Sequence, residues 1–180
     1  THLCAPTFIL LAGTSAYFIA RRKKMKETAF FLITRGLWLV VLQLTIVRFA
    51  WNFDPLFRFN SNSIISIIGL CMIVLAGIVY LPTRTIFVIG LALVGGHNLL
   101  DNISFKQGTP ADVVWSFLHV QKSFDLGNEY SFGFYYPVIP WIGVMALGYC
   151  LGHLYDGKHS VEKRRKILLS LATLSLTLFV

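Results

Sequence analysis

Charge is scarce in this chain, and negative charge is scarcest. Only 8 of 180 residues are Asp or Glu, against 16 Lys or Arg. Charged residues make up 13% and hydrophobic residues 56%, which leaves too little charge to clothe a water-soluble domain of this size. Mean hydropathy is +0.67. Cysteine is also rare: Cys4, Cys71 and Cys150 are odd in number, lack metal-type spacing and lie in apolar runs, where cysteine acts as a small hydrophobe. A disulfide scaffold is therefore excluded, and nothing here asks for a metal. The net charge of +8 does not mark a nucleic-acid binder, because the basic residues cluster at the ends of apolar runs and no soluble basic domain exists to hold them.

What the chain has instead is long apolar runs. A helix needs about 20 mostly apolar residues to cross roughly 30 Å of hydrocarbon. Candidate spans cover residues 3–20, 30–51, 64–81, 85–100, 134–154 and 167–180. This predicts an all-α fold, a polytopic transmembrane helix bundle of about six spans, with residues 1–180 forming a single transmembrane domain. There is no initiator Met, and the last run reaches only about 21 Å as a helix. The chain reads as the interior of a longer protein, truncated at both ends.

Charge sets an orientation. Arg21, Arg22, Lys23, Lys24 and Lys26 follow the first run, Arg84 the third, and Lys158, Lys163, Arg164, Arg165 and Lys166 the fifth. The alternate connections hold only Arg58, or Lys106 and Lys122 beside Asp112, Asp125 and Glu129. Lys and Arg near span ends favour the cytoplasmic side. Connections 21–27, 82–84 and 155–166 are thus expected inside a bacterial cytoplasmic membrane, with 52–63 and 101–133 outside. Anionic lipids are the simplest partner for the basic clusters. Within the long outer connection, residues 111–120 are expected to form a short interfacial helix.

Polar residues inside the apolar runs gather towards the outer side. Arg48 closes the second run, before Trp51, Asn52 and Asp54. Arginine at a span centre costs roughly 2.5–3.5 kcal/mol, so Arg48 either snorkels outward or is held inward by Asp54 or Asp101. Gln43, five residues earlier, falls on another face of an ideal α-helix and is expected to bridge helices. Gly95-Gly96-His97-Asn98-Leu99-Leu100-Asp101 closes the fourth run, and the two glycines admit a close neighbour. The spacing of His97 and Asp101 puts them on one helical face, where a carboxylate orients an imidazole for general-base work or simply ties the helix end. His2 sits level with His97, but two histidines and one carboxylate lack a third clear ligand, so no metal is expected. His119 reads as interfacial, while His153 and His159 stand among basic residues with no assigned role. Gly143, Ala146, Gly148 and Gly152 form a small-residue face suited to close helix packing.

Several stretches together carry a family resemblance. They are Thr1-His2-Leu3-Cys4-Ala5-Pro6 with Leu11-Ala12-Gly13-Thr14-Ser15, Thr34-Arg35-Gly36-Leu37-Trp38, His97-Asn98-Leu99-Leu100-Asp101, and Ile139-Pro140-Trp141-Ile142-Gly143. In this order they resemble the bacterial relatives of the heparan-alpha-glucosaminide N-acetyltransferase catalytic domain. The resemblance implies a membrane acyltransferase that passes acetyl groups from acetyl-CoA, the donor substrate, to an amino sugar across the membrane, with a histidine serving the chemistry. It places the lysosomal branch's catalytic histidine upstream of the segment matching residues 1–16. Gln43 stands where related bacterial sequences often carry an acid, which argues against a catalytic Gln43.

The expected function is acetyl or acyl transfer to an extracytoplasmic sugar or glycan. His97 serves as base or orienting group and Asp101 fixes its tautomer. Asn98 and Arg48 bond substrate or a developing oxyanion, His2 adds a polar wall, and Asp54 supports Arg48. Two rivals stand beside it: a transporter or flippase-like bundle binding a sugar or anion, and a non-catalytic structural subunit. No internal repeat relates the two halves, which counts against the transporter. A homo-oligomer remains open from sequence.

Overall fold

Inside hydrocarbon every backbone N–H and C=O must be satisfied within the chain, so the apolar runs become helices. The computed structural model describes residues 4–56, 58–127, 130–157 and 160–179. Among these residues the order is α1 (Cys4–Arg22), α2 (Met25–Asn52), β1 (Phe59–Asn62), α3 (Ile64–Ile78), α4 (Thr83–Gly96), α5 (Pro110–Leu118), β2 (Lys122–Gly127), β3 (Tyr130–Phe134), α6 (Val138–Leu151) and α7 (Val161–Phe179). Helix α4 tightens into a 3-10 turn at His97–Leu100, and α6 does the same at Gly152–Tyr155.

Four helices among the described residues are long and apolar enough to cross a membrane: Cys4–Arg22, Met25–Asn52, Thr83–Leu100 and Val138–Tyr155. The expected six spans are thereby corrected. Helix α3 has 15 residues and ends at Ile78, close before Pro82, which cannot continue a helix. At 1.5 Å per residue it covers about 22 Å. The last helix begins at Val161 rather than 167, because Lys163, Arg164, Arg165 and Lys166 are good helix formers. Their charge removes it from the apolar class. Phe134, expected to open the fifth span, instead ends β3, and the helix starts after Pro137.

Helix α1 packs on α6, α6 on α4, and α2 on α3. Small residues make these approaches possible. A Cβ built on Gly36 or on Gly69 would lie 2.5 Å from the other's carbonyl oxygen. The expected small-residue face of α6 divides between two partners: a Cβ on Gly148 would meet the Leu10 backbone, and one on Gly143 would lie 2.8 Å from the Gly90 carbonyl oxygen. The Thr14 hydroxyl lies 3.0 Å from both the Leu10 and Gly148 carbonyl oxygens, linking α1 to α6. Ile9, Leu32, Ile67, Leu75, Ile86 and Met145 are fully buried between the helices.

Connections 52–63 and 101–133 lead into a sheet, which the apolar runs and charge pattern do not predict. Strand β3 is central, parallel to β1 and antiparallel to β2. Pairing β1 with β3 joins connection 52–63 to connection 101–133, so both lie at one end of the bundle. The buried Asn62 amide extends that join: its Oδ1 accepts from Tyr135 N at 2.7 Å, and its Nδ2 donates to Tyr136 O at 2.8 Å. The short helix expected within 111–120 is α5, opened by Thr109 as N-cap and Pro110 in its first turn. Phe117 of α5 packs on Phe134 of β3, ring centres 5.7 Å apart. Buried Asp112 receives Lys122 Nζ at 2.9 and 2.7 Å, tying α5 to β2.

Candidate functional site

His97 opens the 3-10 turn that ends α4, and the turn decides its partners. In an α-helix a four-residue step advances about 40° beyond one turn, whereas at 3.0 residues per turn it advances about 120°. Asp101 is consequently swung off the face of His97, and no hydrogen bond joins them among the described residues. This corrects the expected His97–Asp101 pair. Asp101 Oδ1 instead accepts from His119 Nε2 at 2.8 Å. His119, just past α5, is buried with its Nδ1 unpartnered among the described residues, and its ring packs 5.1 Å from that of Trp115. The His97 ring lies 6.4 Å from the His119 ring.

His97 Nδ1 donates to the Val94 carbonyl oxygen at 2.7 Å. A carbonyl can only accept, so Nδ1 carries a proton, and in the neutral ring Nε2 is the acceptor. Asn98 beside it is exposed. Gly95 and Gly96 admit no close neighbour: a Cβ at either meets nothing within 4 Å. His119 was legible only as an interfacial residue, because its partner comes from another element.

Gln43 and Arg48 form a second group at the same end. The chain widens into a π-helical turn at Gln43–Val47, where the Arg48 N–H bonds the Gln43 carbonyl. Residues five apart thus come into line, and both Gln43 and Arg48 are buried. Their expected separation onto different faces is corrected by this extra residue in the turn. Gln43 Oε1 accepts from the Ser63 hydroxyl at 2.5 Å, tying α2 to the N-cap of α3, as its bridging role requires. Arg48 is turned inward, not snorkelled. Asp54 accepts from Arg58 N at 2.8 Å and Leu56 N at 3.0 Å. These backbone donors, Arg58 first, hold its carboxyl below the usual range against partial desolvation, with the Arg48 charge adding to them. His2 lies outside the described residues.

A third group at the basic end was missed. The Tyr17 hydroxyl donates to Asp156 Oδ2 at 2.5 Å, Arg21 reaches Asp156 Oδ1 at 2.9 Å, and His153 Nδ1 lies 3.2 Å from Asp156 Oδ2. His153 Nε2 lies 2.9 Å from Thr83 Oγ1. These contacts bring connections 21–27, 82–84 and 155–166 to one end, opposite the sheet. The spacing of His153 and Asp156 was a signal of the same kind as that of His97 and Asp101.

The Tyr17 hydrogen bond, then the Arg21 charge and the His153 contact, hold the Asp156 carboxyl below the usual carboxylate range despite its burial. A depressed folded-state pKa contributes stability above the unfolded value near 3.9 and loses it as pH falls through the folded value. Asp156→Asn is therefore expected to lower the melting temperature in detergent at pH 7, and its gap to wild type should close below about pH 4. Melts of both proteins across pH check this, and a pH-independent gap would assign the loss to packing.

The sequence model for "Heparan-alpha-glucosaminide N-acetyltransferase, catalytic" matches residues 1–179. No curated protein and no solved structure matches the chain. With four membrane-length apolar helices and a family match over nearly its whole length, this chain belongs to the heparan-alpha-glucosaminide N-acetyltransferase catalytic family.

Proposed function

We propose that the sheet-bearing end of the bundle carries a site for acetyl transfer from acetyl-CoA to an amino or hydroxyl group of an extracytoplasmic sugar or glycan. The observation that supports this most is the His97 Nδ1–Val94 bond, which leaves Nε2 as a proton acceptor at the end where Asp101 and His119 pair. The acceptor heteroatom attacks the acetyl carbonyl as Nε2 takes its proton; a new C–N or C–O bond forms, the C–S bond to the donor breaks, and coenzyme A leaves as the thiol, taking the proton back from Nε2. Asn98 and buried Arg48 supply donors for substrate or the developing oxyanion, with Asp54 beside Arg48 and His2 as a further polar wall. His119 positions Asp101 at the helix end. The basic connections face the cytoplasm of a bacterial inner membrane, an orientation supported by their gathering at the end opposite the sheet.

Everted vesicles holding the full-length protein test this reading. Labelled acetyl-CoA is added outside and amino-sugar glycans are trapped inside. Labelled glycan recovered from the lumen is expected. Intact, protein-loaded vesicles that transfer no label across a panel of glycans would overturn it.

A further inference from the structure

Arg35 stands where a bilayer penalises it. It follows Met25 along α2 by about 15 Å of helix, well inside the apolar run, and it is exposed. An arginine within hydrocarbon is costly unless a counter-charge or water reaches it. Its guanidinium lies 5.3 Å from the Phe31 ring centre, one turn back towards the basic end. Lys23 Nζ lies 5.2 Å from the same ring. One aromatic ring is thus bracketed by two cations on the outside of a span.

A cavity of about 400 Å³ opens beside them, because α1 packs on α6 while α2 packs on α3. Ala12, Ser15 and Ile19 form its α1 wall, and Phe31, Trp38 and Leu39 join Arg35 on the α2 side. The small Ala12 and Ser15 leave the groove open along its length. At its mouth a second hollow is lined by Lys23, Lys26, Glu27 and Phe31, so two cations there outnumber one carboxylate. Net positive charge at the mouth, from Lys23, Lys26 and Arg35 against Glu27, and an apolar trough behind it match an amphiphile with a negatively charged head.

We propose that the groove between α1 and α2 binds an anionic phospholipid of the leaflet at the basic end. Its phosphate lies between Lys23 and Arg35, and one acyl chain runs along Ala12, Ile19 and Leu39. The planar guanidinium suits two phosphate oxygens, and Phe31 holds both cations in place. A zwitterionic lipid carries the same phosphate, but its own ammonium is repelled by these two cations.

Trp38 gives a local readout. The full-length protein is reconstituted with brominated phosphatidylglycerol or brominated phosphatidylcholine, and Trp38→Phe identifies the share of quenching that belongs to Trp38. That share should favour phosphatidylglycerol by at least about fivefold, the increment expected per basic residue near an anionic surface. Lys23→Gln combined with Arg35→Gln should bring the ratio near one, while Arg35→Lys should keep most of it. Equal quenching by the two lipids in wild type, or a ratio unmoved by the double substitution, would overturn the proposal. So would its loss to inorganic phosphate measured against chloride at equal ionic strength, which would assign the site to free phosphate.

Discussion

His97→Gln lowers the turnover of acetyl transfer by about 10²- to 10⁴-fold, the usual contribution of a positioned general base. The expectation rests on one bond. Because Nδ1 donates to Val94 O, the neutral ring offers Nε2 as an acceptor without any rearrangement. Glutamine has similar reach but cannot take a proton near neutral pH. His97 is half-buried at a helix end and, among the described residues, its side chain hydrogen-bonds only the local Val94 carbonyl, so the substitution should leave the melting temperature close to wild type. Donor KM should change little and turnover should fall, which separates a lost base from a lost binding contact. His119→Gln and Asp101→Asn remove a positioning pair and should cost less turnover than His97→Gln. Added imidazole should restore part of the His97→Ala rate and none of the His119→Ala rate. Full turnover by folded His97→Gln would remove His97 from the chemistry.

The membrane architecture was legible because hydrocarbon imposes length and apolarity on every span. The four long helices lie where the long apolar runs are, and the short helix α5 was marked by the apolar residues of 111–120. Charge alternation separated the connections into the two groups that the fold brings to opposite ends. The helix ends were not legible in the same way. A 3-10 turn at His97 and a π turn at Gln43 change residues per turn without a distinctive composition, and each alters which side chains share a face. Fixed α-helical spacing therefore joined His97 to Asp101 and parted Gln43 from Arg48, the reverse of both arrangements. The sheet was hidden for another reason. Strand β1 is Phe-Asn-Ser-Asn, with little strand propensity, and it exists through pairing with β3 far along the chain. Long-range pairing also decides that His119 meets Asp101.

Gly148→Leu is expected to destabilise the bundle by about 3 kcal/mol or more, beyond the usual 1–3 kcal/mol for an overpacked site. A Cβ at Gly148 would run into the Leu10 carbonyl and lie 3.0 Å from its Cα, so the obstruction is backbone and cannot turn aside as a side chain can. Gly13, facing it from α1, meets the Met145 carbonyl and Tyr149 N in the same way. Separating the helices would also stretch the Thr14 contact to Gly148 O. In a membrane, water does not drive helices together, so close packing and interhelical hydrogen bonds carry the association and their loss is felt directly. Gly95→Ala provides the contrast. It lies in α4 with nothing within 4 Å of its Cβ, so the gain in helix propensity should raise stability by about 0.5–1 kcal/mol. Thermal unfolding of both variants in one detergent would show opposite signs. Equal behaviour would mean that α1 and α6 do not meet backbone to backbone. The consequence reaches the candidate site, because α6 holds α1 on one face and α4, through Gly143 and Gly90, on another. A wedge at Gly148 that tilts α6 would carry α4 and its terminal His97 with it, so acetyl transfer should fall in the fraction of Gly148→Leu that still folds.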